Sequence, residues 1–403
     1  MKLKFTSLLS LALLFVVSSS LKAQTQEAKK IEQNEFTVVK ELPITPIKDQ
    51  ANSGTCWSYS GIGFIESELL RIGKGEFDLS EMFVVSHSYR DKGDKYVRLH
   101  GKLNFGQGGS FYDVLYCLKH YGIVPQEVMN GLAYGTKKNA HNEMAAVTES
   151  IIKSVIQNPN GKISTGWKKA YDNTIDSYLG TLPTTFTFKG KSYTPQSFMQ
   201  SLGLNMDDYV SLTSYTHHPF YSKFALEIED NWRWSDSYNL PINELMKVMH
   251  NAIETGYTIA WGTDVSEVGF NRDGIGVLAD LEAIENKGSD QERWIGASPT
   301  DKRKQIMQMI NMPDCPEINP TQEYRQESFD NYTLTDDHGM QIYGLAKNQA
   351  GKTFFMVKNS WGDAGAYKGI WYVSENFVAG RTMNIVVHKD AIPSDIKKKL
   401  GIR

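Results

Sequence analysis

The chain has 403 residues, of which 40% are hydrophobic and 11% aromatic, and its formal net charge is −3. This composition is typical of a globular protein with a large core, and the length predicts two or three packed units. The near-neutral charge gives no reason to expect nucleic acid or an anionic membrane surface as a partner. Three cysteines leave at least one thiol unpaired.

The first residues are predicted to be a secretory signal peptide, residues 1–23. Lys2 and Lys4 precede the apolar run Leu8–Val17, and small residues lead to Ala23, after which we expect cleavage. The apolar run is too short for a permanent membrane anchor. The mature protein is therefore expected to be exported, periplasmic or secreted, without a membrane anchor. Residues 24–43 are predicted to form a loose, polar N-terminal arm.

Three helices are predicted in the next segment, residues 44–140. The first begins at Cys56, because a turn of small residues precedes it and apolar residues then recur at helical spacing. The caps of the other two helices are Asp78 or Ser80 for the second, and Ser110 with Asp113, as a capping box, for the third.

Residues 141–250 are predicted to form a mainly helical insertion, after which the pattern changes. Five short β-rich runs follow: YTIAWGTDV, GMQIYGLAK, TFFMVKNS, GIWYVS and NIVVHK. Such runs are typical of an antiparallel sheet or barrel. We therefore predict an α+β fold with a helical lobe (44–140), a β lobe (251–396) and a C-terminal tail (397–403). An active site between two such lobes is a common arrangement.

Cys56 is the cysteine whose neighbours suggest chemistry. In the first turn of a helix, unpaired N–H groups and the helix dipole favour a thiolate, which is the nucleophilic form. Gln50 carries a side-chain amide that could donate to a developing oxyanion. On these residues alone, a buried structural thiol explains Cys56 equally well. Cys117 is predicted to be a packed thiol, and whether it pairs with Cys315 stays open.

His338 is the histidine best placed to act as a base. It opens a predicted strand after Asp336 and Asp337, and Asn359 follows twenty-one residues later at the end of the next predicted strand. Two adjacent antiparallel strands would bring His338 and Asn359 together, so that the amide orients the imidazole. Trp361 could cover that hydrogen bond, although a turn with a packed tryptophan also explains the local sequence.

The adjacent histidines His217 and His218 are the only hint of a metal site. No second histidine or cysteine cluster lies at ligand spacing from them. We therefore predict no metal and no other cofactor.

Four separated motifs resemble, in order, those of the papain-like cysteine peptidases. They are Gln50 with SGTCWSYS (Ser53–Ser60), GQGGS (Gly106–Ser110), DHGM (Asp337–Met340) and KNSWG (Lys358–Gly362). The resemblance implies a papain-like two-lobed fold and peptide substrates.

The resemblance also implies individual roles. The catalytic residues would be Cys56 as nucleophile, His338 as general base and acid, Asn359 as its orienter, and Gln50 as oxyanion donor. The substrate-binding residues would be Gly108 and Gly109 along the backbone groove, with Trp361 shielding Asn359. Met340 either lines the specificity pocket or packs in the core.

Two departures from papain point to one branch of the family. Ser53 stands where a half-cystine is usual, and Gln107 replaces the cysteine of the glycine-rich loop. With the large insertion, these features resemble the bleomycin hydrolase and aminopeptidase C branch. That branch implies an aminopeptidase, assembled as a hexameric ring, whose C-terminal tail lies in the cleft and restricts attack to free N-termini.

The end of the sequence leaves the type of peptidase open. The chain stops short of the tail expected for the branch, so an endopeptidase with an open cleft is the alternative to the aminopeptidase. An acyltransferase and a non-catalytic peptide-binding module are less favoured. The short segment between Ala23 and Cys56 predicts activity without proteolytic maturation.

Overall fold

The computed structural model describes residues 33–286 and 298–403. The predicted signal peptide lies outside the described residues. None of the helices within them combines the length and the apolar character needed to cross a membrane.

The described residues form helices and strands throughout the chain. The helices are α1 (Cys56–Arg71), α2 (Glu81–Arg98), α3 (Phe111–His120), α4 (Asn142–Ile156), α5 (Gly166–Leu179), α6 (Pro195–Leu202), α7 (Ile242–Thr255), α8 (Leu281–Asn286), α9 (Pro299–Ile310), α10 (Gln322–Asp330), α11 (Glu375–Arg381) and α12 (Ser394–Leu400). The strands are β1 (Phe36–Glu41), β2 (Phe186–Phe188), β3 (Lys191–Tyr193), β4 (Tyr209–Thr213), β5 (Lys223–Ala225), β6 (Asp236–Asn239), β7 (Ile259–Thr263), β8 (Ile275–Gly276), β9 (His338–Asn348), β10 (Thr353–Lys358), β11 (Ile370–Ser374) and β12 (Thr382–His388).

The three predicted N-terminal helices are confirmed with their starting residues. α1 begins at Cys56, and the Ser80 hydroxyl accepts a hydrogen bond from the backbone of Phe83 at the start of α2. Ser110 and Asp113 form the predicted capping box of α3. These caps satisfy N–H groups that would otherwise have no partner at the helix ends.

α1 is buried along most of its length and lies between the other helices and the sheet. Its glycines permit this close packing. A Cβ atom at Gly61 would lie 2.7 Å from Cγ2 of Val114 in α3, and one at Gly63 would lie 3.2 Å from Oε1 of Gln341 in β9. The helix that begins with Cys56 therefore packs directly on the strand that begins with His338.

The main sheet has ten strands in the order β5-β6-β4-β12-β7-β9-β10-β11-β8, with β1 also paired to β9. The five predicted β runs form β7, β9, β10, β11 and β12. Most neighbours are antiparallel, but β4 with β6 and β8 with β11 are parallel. Since the end strands β5 and β8 do not pair with each other in the described residues, the expected barrel is not found, whereas the α+β class is confirmed.

Three predicted boundaries differ from the structure. The prediction of a loose arm over residues 24–43 is wrong for its second half, because β1 pairs with β9. The insertion 141–250 is not only helical, since β4, β5 and β6 extend the main sheet. The tail 397–403 is not separate, because α12 runs into it and buries Leu400.

Two large hydrophobic clusters correspond to the two lobes. One is built mainly from α1 to α6 and includes Phe64 and Tyr171, which are fully buried or nearly so. The other combines α7 and α12 with the central strands and includes Trp261 and Trp371. Cys56 and His338 lie where the elements of these two clusters meet.

Lys48 connects the chain before α1 to buried carboxylates. Its Nζ lies 2.6 Å from Oε1 of Glu81 and 3.4 Å from Oε1 of Glu66, and both carboxylates are 1% exposed. Glu66 also accepts hydrogen bonds from the Leu79 backbone and the Thr45 hydroxyl. Because buried carboxylates need a cation and hydrogen bonds in contact with them, this network holds the path of the chain that leads into α1.

The substitution Lys48→Met should lower the free energy of unfolding by about 3 kcal/mol, since it leaves two buried carboxylates without the cation that contacts them. Urea denaturation followed by tryptophan fluorescence measures the loss. Lys153→Met, which breaks only the exposed pair with Glu149, is the control and should cost less than about 1 kcal/mol. Equal losses in the two variants would contradict the importance of the buried network.

Candidate active site

Cys56 and His338 face one small cavity. Cys56 lies in the first turn of α1, where the backbone N–H groups of Gly339 and Trp57 are directed at its sulfur. Both Cys56 and His338 line a cavity of about 20 Å³, which is enough for roughly one water molecule. The cysteine and the histidine that the sequence predicts to act together therefore share one site.

The predicted pair of His338 and Asn359 is present. Nε2 of His338 lies 2.8 Å from Oδ1 of Asn359, and the two residues are 6% and 1% exposed. The same Oδ1 accepts the backbone N–H of Ser360 at 2.7 Å, which turns the amide oxygen towards the imidazole. Since this oxygen accepts, Nε2 carries the proton, and Nδ1 keeps the lone pair that can take a proton from a thiol.

Trp361 lies against the imidazole. Its ring centroid is 4.8 Å from that of His338. The Trp361 ring also packs edge-to-face against Trp371, with 5.4 Å between the ring centroids. Trp361 thus restricts the orientation of His338 and keeps water from this side of the ring.

Burial changes the acidity of both reacting groups. It raises the pKa of the Cys56 thiol to about 12, and the negative charges of Asp230 and Asp336 add to this rise. Burial also lowers the pKa of His338 to about 4, although the hydrogen bond that the imidazole donates to Asn359 opposes the change. Both shifts favour a neutral thiol and a neutral imidazole rather than the thiolate expected from the helix dipole. Such a pair can still react if the imidazole takes the proton as sulfur attacks.

Gln50 is fixed between the turn before α1 and the loop after β10. Its Nε2 donates to the Ser53 carbonyl at 2.7 Å, its Oε1 accepts from the Ser360 hydroxyl at 2.5 Å, and its backbone N–H donates to the Ser360 carbonyl. A side-chain amide has two N–H groups, and the second is not used in these bonds. Gln50 is therefore held rigidly with one donor left.

The two glycines of the predicted groove differ. A Cβ atom at Gly109 would lie 2.8 Å from the indole of Trp57, so Gly109 allows the loop to pass closely over that ring. A Cβ atom at Gly108 would lie 2.2 Å from the carboxylate of Asp230. Gly109 lines the cavity, whereas Gly108 lies beneath Asp230 and does not face an open groove.

Met340 does not line the cavity. It has no exposed surface and belongs to the hydrophobic core of the β lobe. Of the two explanations that the sequence leaves open, core packing is the one that the structure supports.

Gln107 connects the glycine-rich loop to residues on both sides of Cys56. Its Oε1 accepts the backbone N–H of Gly54 at 2.7 Å, and its carbonyl accepts the indole N–H of Trp57 at 3.0 Å. Hydrogen bonds therefore hold the glycine-rich loop to the start of α1. Cys117 and Cys315 are both buried and are not joined by a disulfide.

Sequence reasoning missed the segment that covers the cavity, Leu226–Ser235. Ile228 and Asp230 of this segment line the cavity together with Asp336 and Asn384. The only sequence signal was the acidic run Glu-Ile-Glu-Asp at 227–230 inside the predicted insertion. Nothing local indicates that Asp230 of this run lies near Cys56, which is 174 residues earlier.

His217 and His218 have a third neighbour that the sequence did not reveal. Glu227 lies 3.0 Å from Nε2 of each ring, and the ligand atoms of the three residues lie within 4.8 Å of one another. These hydrogen bonds account for the positions of both imidazoles and of Glu227.

Comparisons with known proteins match both parts of the site. The profile of the papain family of cysteine proteases matches residues 32–173, which include Cys56. The profile of the peptidase C1-like family matches residues 302–402, which include His338 and Asn359.

Similar proteins extend over nearly the whole chain. Aminopeptidase G of Lactobacillus delbrueckii subsp. lactis is 21% identical, covering 90% of this chain and 85% of its own length. Aminopeptidase C of Lactobacillus helveticus is 22% identical, covering 93% and 88%. The crystal structure of pepw from Lactobacillus rhamnosis has a TM-score of 0.67 at 19% identity, covering 91% of this chain and 84% of that one, and shows the same fold.

The raised pKa of Cys56 predicts the pH dependence of its alkylation. Below a pKa of about 12, the thiolate fraction grows about tenfold per pH unit. The rate of alkylation by iodoacetamide should therefore rise about tenfold per unit between pH 6 and pH 9. Mass spectrometry of the modified Cys56 peptide measures the rate, with Cys56→Ala giving the background from the other thiols. A rate that is high and constant from pH 5 to pH 8 would instead reveal a preformed thiolate.

Proposed function

We propose that this chain, which belongs to the papain-like cysteine peptidases, hydrolyses peptide bonds at Cys56 and removes residues from the N-termini of peptides. The observation that carries the proposal is the buried pair of His338 and Asn359, which opens into the same cavity as Cys56. The names of the similar proteins, aminopeptidases C and G, support an exopeptidase.

The proposed reaction begins with proton transfer from Cys56 to Nδ1 of His338 as sulfur attacks the scissile carbonyl carbon. The new C–S bond places negative charge on the carbonyl oxygen, to which the remaining N–H of Gln50 and the backbone N–H of Cys56 at the start of α1 can donate. The C–N bond then breaks, and His338 returns the proton to the leaving amine. An acyl-enzyme remains.

Hydrolysis of the acyl-enzyme completes the cycle. His338 takes a proton from water, the resulting hydroxide attacks the thioester carbon, and the C–S bond breaks. The proton returns to sulfur as the carboxylic acid product leaves. Asn359 keeps the imidazole in one orientation through both halves, which is the role of the third group in such sites.

An aminopeptidase is favoured over an endopeptidase by the covering of Gly108. In an endopeptidase the substrate backbone continues along the groove past the cleaved residue, and Gly108 and Gly109 were expected to line that groove. Because Asp230 lies against Gly108, the space on this side of Cys56 suits a chain that ends there.

Matched peptide amides with a free and an acetylated N-terminus test this proposal. The wild-type protein should cleave the free form at least about 100-fold more efficiently, since a blocked amine cannot occupy a site built for a charged one. Cys56→Ala should reduce kcat about 10⁴-fold or more, because the nucleophile is removed. Cys117→Ala, which removes a buried thiol elsewhere, is the control. Hydrolysis that survives Cys56→Ala would contradict the assignment of the nucleophile.

We also propose export and assembly, on the resemblance of residues 1–23 to a signal peptide and of the whole chain to the hexameric branch. When the full chain is expressed in a bacterium, the protein recovered outside the cytoplasm should begin at Gln24, because cleavage follows Ala23. Intact mass gives the cleavage site and native mass spectrometry gives the number of subunits. A protein that keeps Met1 in the cytoplasm would contradict export, and a monomeric mass would contradict the ring.

A further inference from the structure

Three carboxylates line the small cavity with Cys56 and His338, namely those of Asp230, Asp336 and Asp337. Asp230 comes from the covering segment Leu226–Ser235, and Asp336 from the residues before β9. The negative charges of both add to the effect of burial, which raises the pKa of Cys56. The cavity thus brings together a nucleophile, its base and three acids from separate parts of the chain.

Two of these carboxylates, Asp230 and Asp336, have no partner among the described residues that would account for their positions. Among the described residues, no hydrogen bond and no ion pair within 4 Å involves Asp230 or Asp336. Lys92 attracts Asp230, but its Nζ donates to the carbonyls of Gly106 and Gly108 at 3.0 and 2.5 Å. By contrast, the neighbouring Asp337 accepts the backbone N–H of Val265 and is satisfied.

The two acids also repel each other. Burial raises the pKa of Asp230 to about 6, against the attraction of Lys92. Burial, followed by the charge of Asp230, raises the pKa of Asp336 well above its ordinary value. Crowded carboxylates without a cation are unfavourable in a protein interior. A positively charged ligand in the cavity would relieve this repulsion.

Asp230 is held in place from both sides. On one side, the carboxylate of Glu227 accepts hydrogen bonds from the imidazoles of His217 and His218 at 3.0 Å. On the other side, Arg233 donates to Asp113 at 2.5 Å and to Asp91 at 2.7 Å. The carboxylate therefore does not reach the cavity by chance from a loose loop.

Asn231 stabilises the turn next to Asp230. Its side chain is 5% exposed and donates to the carbonyls of Leu226 and Ser235, while its oxygen accepts the Ser235 backbone N–H. The covering segment is therefore closed on itself as well as anchored to α2 and α3. A rigid support of this kind is what a binding group requires for selectivity.

We infer that Asp230 and Asp336 bind the α-ammonium group of the substrate's first residue and so restrict cleavage to peptides with a free N-terminus. The inference rests on the proposed peptidase function. The α-nitrogen is only two bonds from the attacked carbonyl carbon, so its binding group must lie beside the nucleophile, as these carboxylates do. Asp230 also occupies the space against Gly108 that a preceding residue would need.

Binding of the ammonium has a consequence for the nucleophile. The charges of Asp230 and Asp336 disfavour the thiolate of Cys56. A positive charge between them and the sulfur counteracts that effect and lowers the pKa of the thiol. A substrate with a free N-terminus therefore promotes the ionisation of Cys56, whereas an acetylated substrate does not.

The variants Asp230→Asn and Asp336→Asn test the inference, because they keep the shape of the side chains and remove the charge. For the free peptide amide, kcat/KM should fall at least 30-fold in each variant, mainly through a higher KM. For the acetylated amide it should stay the same or rise, so that the preference for free N-termini is lost. Glu229→Gln is the matched control, since Glu229 is exposed and among the described residues bonds only to Asn104, and it should keep the wild-type preference.

Inhibition of the wild-type protein provides a second test that does not depend on the folding of a variant. Alaninamide, which carries an ammonium group, should inhibit at least tenfold more strongly than lactamide, which carries a hydroxyl group in its place. Equal inhibition by the two amides, or a preference unchanged in both aspartate variants, would overturn the inference. If the wild-type protein cleaves neither the free nor the acetylated peptide, the proposed function is contradicted. If it cleaves both equally, the peptidase function stands and the ammonium site is refuted.

Discussion

The close packing of α1 on β9 is the constraint on which the site depends. A Cβ atom at Gly339 would lie 3.0 Å from Oγ of Ser60 and 3.3 Å from Cα of Trp57, so a larger side chain at this position would push the helix away from the strand. Cys56 is the first residue of the helix and His338 the first of the strand. Separation of these two elements would therefore separate the sulfur from the imidazole, whatever else in the fold stayed intact.

Local signals in the sequence predicted this half of the site correctly. Helix caps depend on residues within one turn, and the pairing of His338 with Asn359 follows from two neighbouring strands joined by a short turn. β1 was missed because only its first residue is even partly buried, so it lacks the alternating pattern and gains its partners only from β9. The position of Asp230 could not be predicted, since it depends on contacts such as Arg233 with Asp113, which are 120 residues apart.

The free-energy contributions to the ionisation of Cys56 explain why the expected thiolate is not the favoured form. A pKa moved from 9.0 to about 12 corresponds to about 4 kcal/mol against the charged sulfur. A helix N-terminus contributes about 1 kcal/mol in the opposite direction. Burial with two nearby acids therefore dominates over the dipole of α1. The position of Cys56 at the start of α1 correctly predicted that the helix dipole lowers the pKa of the thiol. It did not predict that burial and nearby acids raise this pKa by more.

The raised pKa of Cys56 has a chemical meaning once the insertion, residues 141–250, is considered as part of the site. The sheet continues through β12 into β4, β6 and β5, and the covering segment connects β5 to β6 across the cavity. The elements around α1 and β9 supply a nucleophile and a base, which by themselves do not distinguish one peptide bond from another. The segment adds Asp230 beside them, and its charge adds to the effect of burial, which is the main reason that the pKa of the thiol is raised. A group that suppresses the nucleophile until a cation binds makes reactivity depend on the substrate, so the same electrostatic repulsion that is unfavourable in the free protein becomes the source of its selectivity.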